Sequence, residues 1–277
     1  MSEYDFTGER LTTTKRSEIM IHHLHRYAMA IDLARGKVVL DIASGEGYGS
    51  NLLAKVAESV LGVDIEKKVV DFANQKYTQP NLEFKVGSTS LIPSKDNVFD
   101  LIVSFETIEH HDEHEQMMEE FKRVLKPGGV LIISSPDKLN YTDIPQYTNS
   151  FHVKELYKEE FKTIIARYFA YARHFNQNLF YSSIIVSDNG DASKFKEFNG
   201  DFDKIIENET LSIPMYNICV ASDEPIENEN FADASIFNAQ EVFNDIKNKE
   251  AEIYASKTYK IGKFFTFPIR LIRSLRN

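Results

Sequence analysis

Between Lys37 and Ala221 the chain alternates two hydrophobic rhythms. Short aliphatic and β-branched runs, KVVLDI (37–42), SVLGVDI (59–65), NLEFKV (81–86), FDLIVSF (99–105) and GVLIISS (129–135), have the length and composition of buried strands. Between them, apolar positions recur at helical spacing: a helix from about Ser50, another over KKVVDFANQKY, and a third near 112–124. Strands separated by helices of this size pair in parallel through right-handed crossovers, so the pattern predicts an α/β fold. LKPGG (125–129), with a proline and two glycines, predicts a helix stop and tight turn before the fifth strand. Further on, HVKELYKEEFKTIIARYF places Val153, Leu156, Tyr157, Phe161, Ile164, Ile165 and Phe169 on one stripe, predicting an amphipathic helix whose stripe is core.

After Val186 the rhythm breaks. SDNGDASKFKEFNGDFDKIIENE is acidic and rich in Gly and Asn, which predicts an inserted loop over about 187–212 with little core of its own. PMYNICVASDEP then gives one more strand, Met215 to Ala221, and from Glu241 a charged helix leads to a tail with six Lys or Arg and no acid over 257–277. The expected organisation is a helical cap over the active site (1–34), a main domain (35–225), and a C-terminal helix with a basic amphipathic tail (226–277). Phenylalanines and isoleucines among the tail's cations suit peripheral contact with anionic lipid, and equally suit packing on the domain or on a partner subunit.

Composition narrows the partners. With 42% hydrophobic residues, 20 Phe and 13 Tyr in 277 residues, the chain can pack a substantial core. A net charge of −10 excludes a general nucleic-acid binder and leaves small molecules or glycans as substrates. The single cysteine, Cys219, excludes an internal disulfide. MSEYDFTGER has neither a basic n-region nor an apolar h-region, and no apolar run nears the roughly 20 residues that span a bilayer, so a cytoplasmic protein is expected. Its oligomeric state stays open.

The sharpest motif is VVLDIASGEGYGS (38–50), where a strand breaks into small residues and alternating glycines. In an open α/β sheet ligands bind beyond the carboxyl ends of the strands, and Gly45, Gly47 and Gly49 suit a ligand approaching the backbone. Dinucleotide sites use similar loops, so NAD is an alternative. Asp41 and Glu46 bracket the loop and Asp64 closes the second strand, and three carboxylates would repel a pyrophosphate and suit a cation.

DIASGEGYGS, LGVDI, FDLIVSFETIEHH and LKPGGVLIISSP, in this order over about residues 35–221, resemble the motifs of class I S-adenosylmethionine-dependent methyltransferases. The resemblance implies a Rossmann-like seven-stranded sheet, mostly parallel with an antiparallel last strand near 213–221 and helices on both faces. It implies S-adenosylmethionine as cofactor, held by Tyr27, Asp41, Ala43, Gly45, Gly47, Tyr48, Asp64, Ile65, Gly87, Ser88, Thr89, Phe105 and Glu106, with Asp64 on the ribose. Ala43 stands where the family usually has the first motif I glycine, a mild change, and Ser88 stands where an acid often meets adenine. TGERL, HHLHRYAMA and SFHVKEL are similar to bacterial methyltransferases of surface-polysaccharide synthesis, which implies a sugar or glycan hydroxyl, or a sugar amine, as acceptor.

Methylation of a hydroxyl calls for a base, and histidine has the closest natural pKa. His110, after the fourth strand, and His152, on the loop after the fifth, are the candidates, with Asn140, Tyr141, Tyr147 and Asn149 available to a sugar. Glu106, Glu109 and His110 also have an E-x-x-E-H spacing that with His152 could hold Mg²⁺ or Mn²⁺, although the reading without metal is preferred. His22, His23 and His25 are read as solvent-facing or capping rather than metal-binding. A non-catalytic S-adenosylmethionine-binding regulator remains the alternative of another class.

Overall fold

The computed structural model describes residue 13 and residues 18–177, 197–200, 205–208, 215–226 and 240–259. Chain order is α1 (Glu18–Ala34), β1 (Val38–Ile42), α2 (Tyr48–Ala54), β2 (Ser59–Asp64), α3 (Lys67–Lys76), β3 (Leu82–Val86), β4 (Phe99–Ser104), α4 (His114–Val124), β5 (Leu125–Pro136), α5 (Lys158–Tyr168), β6 (Tyr171–Gln177), β7 (Glu197–Gly200), β8 (Ile205–Asn208), β9 (Tyr216–Ser222) and α6 (Gln240–Ala255). Seven strands form one sheet in the order β3-β2-β1-β4-β5-β9-β6. The pairs from β3 through β5 are parallel, and β9 runs antiparallel to both β5 and β6. The expected seven-stranded Rossmann-like sheet is what the chain forms.

Strands β1, β4 and β5 are buried almost throughout because helices cover both faces of the sheet, which is why they read as unbroken aliphatic runs. One face packs Leu40, Ile102, Leu131 and Ile133 against Met117, Phe121, Phe161 and Ile165 of α4 and α5. The other packs Val39, Leu101, Val103, Ile132 and Val220 against Tyr27, Ala30 and Ala34 of α1 and Leu53 of α2. The N-terminal helix therefore shares the sheet's core. Strand order reverses between β1 and β4, and in open α/β sheets the ligand crevice lies at the carboxyl ends of the strands at such a switch point.

Three local expectations are corrected. LKPGG lies inside β5: pairing steps from Phe99 with Leu125 to Leu101 with Val130, so the extra residues form a bulge at Gly128 (φ 73°) instead of a separate turn. The helix expected from His152 begins at Lys158, because the backbone N–H groups of Val153 and Lys154 donate to the Glu109 carbonyl, at 2.8 and 3.0 Å. Phe161, Ile164, Ile165 and Phe169 are core as expected, but Val153 and Tyr157 are exposed. Strand β6 had no counterpart in the sequence reading, since YARHFNQ is a polar edge strand. The insertion carries an antiparallel pair, β7 with β8. Among the described residues no helix is long and apolar enough to cross a membrane, and residues 260–277 of the basic tail lie outside them.

Candidate active site

At the crevice the chain leaves β1 through Ala43, Gly45 and Gly47, with φ of 60°, 54° and 90°. These left-handed turns aim the Gly45 N–H at Asp64 Oδ2 (3.0 Å), while the Glu66 N–H donates to Asp64 Oδ1 (3.0 Å). Two backbone donors thus orient the carboxylate at the end of β2. A side chain at Gly45 would meet nothing within 4 Å, whereas one at Gly47 would strike the Phe84 ring and one at Gly49 would lie 1.9 Å from the Tyr27 ring. Of the three glycines assigned to ligand approach, Gly45 borders open space; Gly47 and Gly49 are small because of protein packing.

The electrostatic premise of the sequence reading is revised as well. Asp41 is buried behind the loop, where Ser50 Oγ donates to it at 2.6 Å and Tyr27 at 3.1 Å. Burial pushes its pKa up to about 7, against the pull of those hydrogen bonds. Burial would likewise raise Glu46, but hydrogen bonds from Lys76 and Thr13 outweigh it and hold that carboxyl below its usual range. Asp41 and Glu46 therefore brace the loop and do not offer free charge to a cofactor. Tyr27 and Tyr48 line its rear edge to face, with Tyr27 likewise against Phe105 at 5.2 Å. Ile65 and Leu91 stand 70% and 74% exposed at the mouth, and Gly87, Ser88 and Thr89 follow β3 beside them, half-buried.

On the other side of the switch point, Glu106 follows β4 with φ of 51°. Ser134 Oγ donates to its carboxylate at 2.6 Å and accepts its backbone N–H at 3.2 Å. Arg26, 1% exposed, reaches Glu106 from α1 at 3.7 Å and lies 4.9 Å over the Tyr216 ring. The sequence reading missed both Arg26 and Tyr216. Burial, then the nearby Glu106 charge, raises the Tyr216 pKa, so its O–H keeps its proton. His22 stacks edge-on to Tyr216 at 5.0 Å and is buried, not solvent-facing; its pKa falls to about 4 through burial and the neighbouring Arg26. His23 Nδ1 and the Tyr48 hydroxyl share a hydrogen bond of 2.8 Å, and burial lowers the His23 pKa far below the usual range.

The two candidate bases meet. His110 ends the short 3₁₀ turn Ile108–His110, and its ring packs edge-on to His152 at 5.2 Å. His110 Nδ1 bonds the Phe151 carbonyl at 3.1 Å, an acceptor, so the proton sits on Nδ1 and the lone pair on Nε2. For His152 the positions differ. Asn149 Oδ1 accepts the Phe151 N–H, which turns its amide toward His152 Nε2 at 2.9 Å, while Nδ1 bonds Glu155. Both nitrogens of His152 are engaged, and its ring stacks on Tyr141 at 5.5 Å. Tyr141 in turn packs near Tyr147 and Tyr216. Donor atoms of Glu109, His110 and His152 lie within 4.8 Å of one another, a set that could hold a metal ion.

Residues 40–133 match a protein family described as the methyltransferase domain. This is a methyltransferase-type fold. A probable S-adenosylmethionine-dependent methyltransferase of Mycolicibacterium smegmatis is 34% identical over 169 residues, 59% of this chain and 64% of that protein. A probable phthiotriol/phenolphthiotriol dimycocerosates methyltransferase of Mycobacterium ulcerans is 32% identical over 111 residues, 39% of this chain and 43% of its own. The chain thus matches less than two thirds of either relative's length. A solved S-adenosylmethionine-dependent methyltransferase from Archaeoglobus fulgidus superposes with a TM-score of 0.52 at 18% identity, covering 74% of this chain and 93% of that one. S-adenosylmethionine is the cofactor that goes with this domain, and the site fits it: Gly45 leaves room at the backbone, Asp64 is oriented for a diol, and Ile65 and Leu91 offer apolar surface to a base.

Proposed function

We propose that the chain is an S-adenosylmethionine-dependent methyltransferase that O-methylates a sugar or glycan intermediate of cell-surface polysaccharide synthesis. The observation that supports this best is His110, whose tautomer is set by the Phe151 carbonyl so that Nε2 can accept a proton, beside a wall of Tyr141, His152 and Tyr216 rings. When bound, S-adenosylmethionine supplies a sulfonium methyl group open to in-line attack. Asp64 orients the ribose and Glu106 faces the cationic end, while Phe105 and Tyr27 back the pocket. The ring of Tyr141 stacks on the apolar face of a sugar, and the Tyr216 O–H and Asn140 bond its hydroxyls. His110 takes the acceptor proton, and His152 holds the wall with its nitrogens committed to Asn149 and Glu155. In this reading no metal is needed, and the protein works in the cytoplasm or at the inner membrane face.

The test is transfer of labelled methyl from S-adenosylmethionine into nucleotide-sugar and glycan pools. Label in a sugar methyl ether is expected. Cofactor binding with no labelled product in any pool would favour a non-catalytic regulator, and label on nitrogen would favour an amino-sugar acceptor. A second reading has its own observation: Leu139, Ile144, Phe151 and Val153 are exposed around the same mouth, a rim suited to an acceptor with an apolar chain. The dimycocerosate acceptor in one relative's name is compatible with it. Label that partitions into the lipid extract would select that reading.

A further inference from the structure

Arg26 is the largest fully buried side chain of the described residues. A guanidinium taken out of water is costly unless its charge and donors are met, and it is strongly destabilising to remove one member of such a pair. Here Nη1 donates to Gln177 Oε1 at 2.8 Å, and Gln177 Nε2 donates back to the His22 carbonyl one turn earlier on α1, at 3.1 Å. The plane lies over the Tyr216 ring and 5.9 Å from the Phe105 centroid. Its carboxylate neighbour, Glu106, has a 16% exposed side chain and occupies a left-handed backbone conformation. Glu106 is thus held from two sides, by Ser134 on β5 and by Arg26 on α1.

We infer that Arg26 is a positioning residue that fixes the Glu106 carboxylate toward the cationic end of the cofactor. At 1% exposure it touches no ligand itself, and its effect passes through Glu106. The left-handed Glu106 is strained for a residue with a Cβ, so its side-chain direction depends on these two partners. The inference rests on the reading that this crevice binds S-adenosylmethionine.

The experiment is a double-mutant cycle on S-adenosylmethionine affinity by titration calorimetry, with wild type, Arg26→Met, Glu106→Gln and the double variant. Each single change should weaken binding about tenfold or more, and the double variant should bind no worse than Glu106→Gln alone, because Arg26 acts only through that carboxylate. A helix-packing role would instead give losses that add, and additive losses overturn the inference. If Arg26→Met does not fold at the assay temperature, melting temperatures decide: the double variant, with both charges gone, should melt higher than Arg26→Met, and no recovery overturns the inference. Absence of binding by wild type would remove the functional reading and the inference together, whereas wild-type binding with an additive cycle removes the inference alone.

Discussion

Around the cofactor half of the crevice, the groups that shape the site fall between Asp41 and Glu66, and the donors that orient Asp64 are backbone N–H groups. The acceptor half draws instead on His110, Tyr141, His152 and Tyr216, side chains from a 3₁₀ turn, the loop after β5 and β9. The first half is a local device: one strand, one turn and the next strand end. The second exists only once the sheet has assembled. Loss of a single acceptor-side group should therefore damage turnover while leaving cofactor binding, built on backbone, nearly intact.

The largest expected effect tests that division directly. His110→Ala should lower turnover on the true acceptor by about 10²–10⁴-fold, the range for losing a general base, with the S-adenosylmethionine dissociation constant within about threefold of wild type. His152→Ala is expected to act through the wall, raising the acceptor KM more than it lowers kcat. Equal kcat losses in both variants would mean that the histidines share the proton, and wild-type turnover in both would end the histidine-base mechanism.

Asp64→Ala should give the converse pattern. A carboxylate bonded to ribose hydroxyls is worth about 1.5–3 kcal/mol, so affinity for the cofactor should drop about 10- to 100-fold while kcat at saturation changes little. The side chain also accepts from Gly45 and Glu66, so Asp64→Asn, which keeps one acceptor, should fall between wild type and Ala. An unchanged dissociation constant in the Ala variant rejects the ribose assignment.

The same contrast explains how much was legible in the sequence. The order of strands, the crevice, Asp64 and Gly45 follow from short-range patterns, because a strand end and a glycine turn are encoded by neighbours. Asp41 and Glu46 were legible as charges, but not their partners: Tyr27, Ser50, Lys76 and Thr13 lie up to 33 residues away. Gly49 was legible as a glycine, but its cause is the Tyr27 ring on another helix. Arg26 and Tyr216 carried no local signal. An arginine among helix histidines looks solvent-facing, and only the distance from α1 to β9 after folding makes it buried. The start of α5 was misplaced for a related reason, since the Glu109 carbonyl captures the Val153 and Lys154 donors from across the crevice.

A smaller effect concerns the brace behind the loop. Asp41 in the folded protein has a pKa of about 7, above its unfolded value of 3.8, so the stability it contributes is fully present below pH 3.8 and is lost as pH rises through 7. Asp41→Asn keeps an oxygen for Ser50 and Tyr27 and carries no charge. Its melting temperature relative to wild type should therefore climb between pH 4 and pH 8. A constant difference over that range would show that the Asp41 carboxyl is solvated like a surface acid, and would return it to the list of charges a cofactor can feel.

The smallest effect lies at Ala43, where the sequence suggested a mild change from glycine. The backbone there sits at φ 60°, a region where a Cβ costs roughly 1–2 kcal/mol, and the residue is exposed, so no packing compensates. Ala43→Gly removes that strain but gives the unfolded chain more freedom, worth about 0.4–1 kcal/mol in the opposite sense. The net should be a gain of about 0.5–1 kcal/mol, visible as a small rise in melting temperature. Because Ala43 precedes Ser44, whose N–H donates to Val63 at the end of β2, the relaxed turn should also leave cofactor affinity unchanged. A variant that is stabilised but binds S-adenosylmethionine more weakly would show that the strained alanine presets the loop for its ligand, and would make the cofactor half less purely a backbone device than its hydrogen bonds suggest.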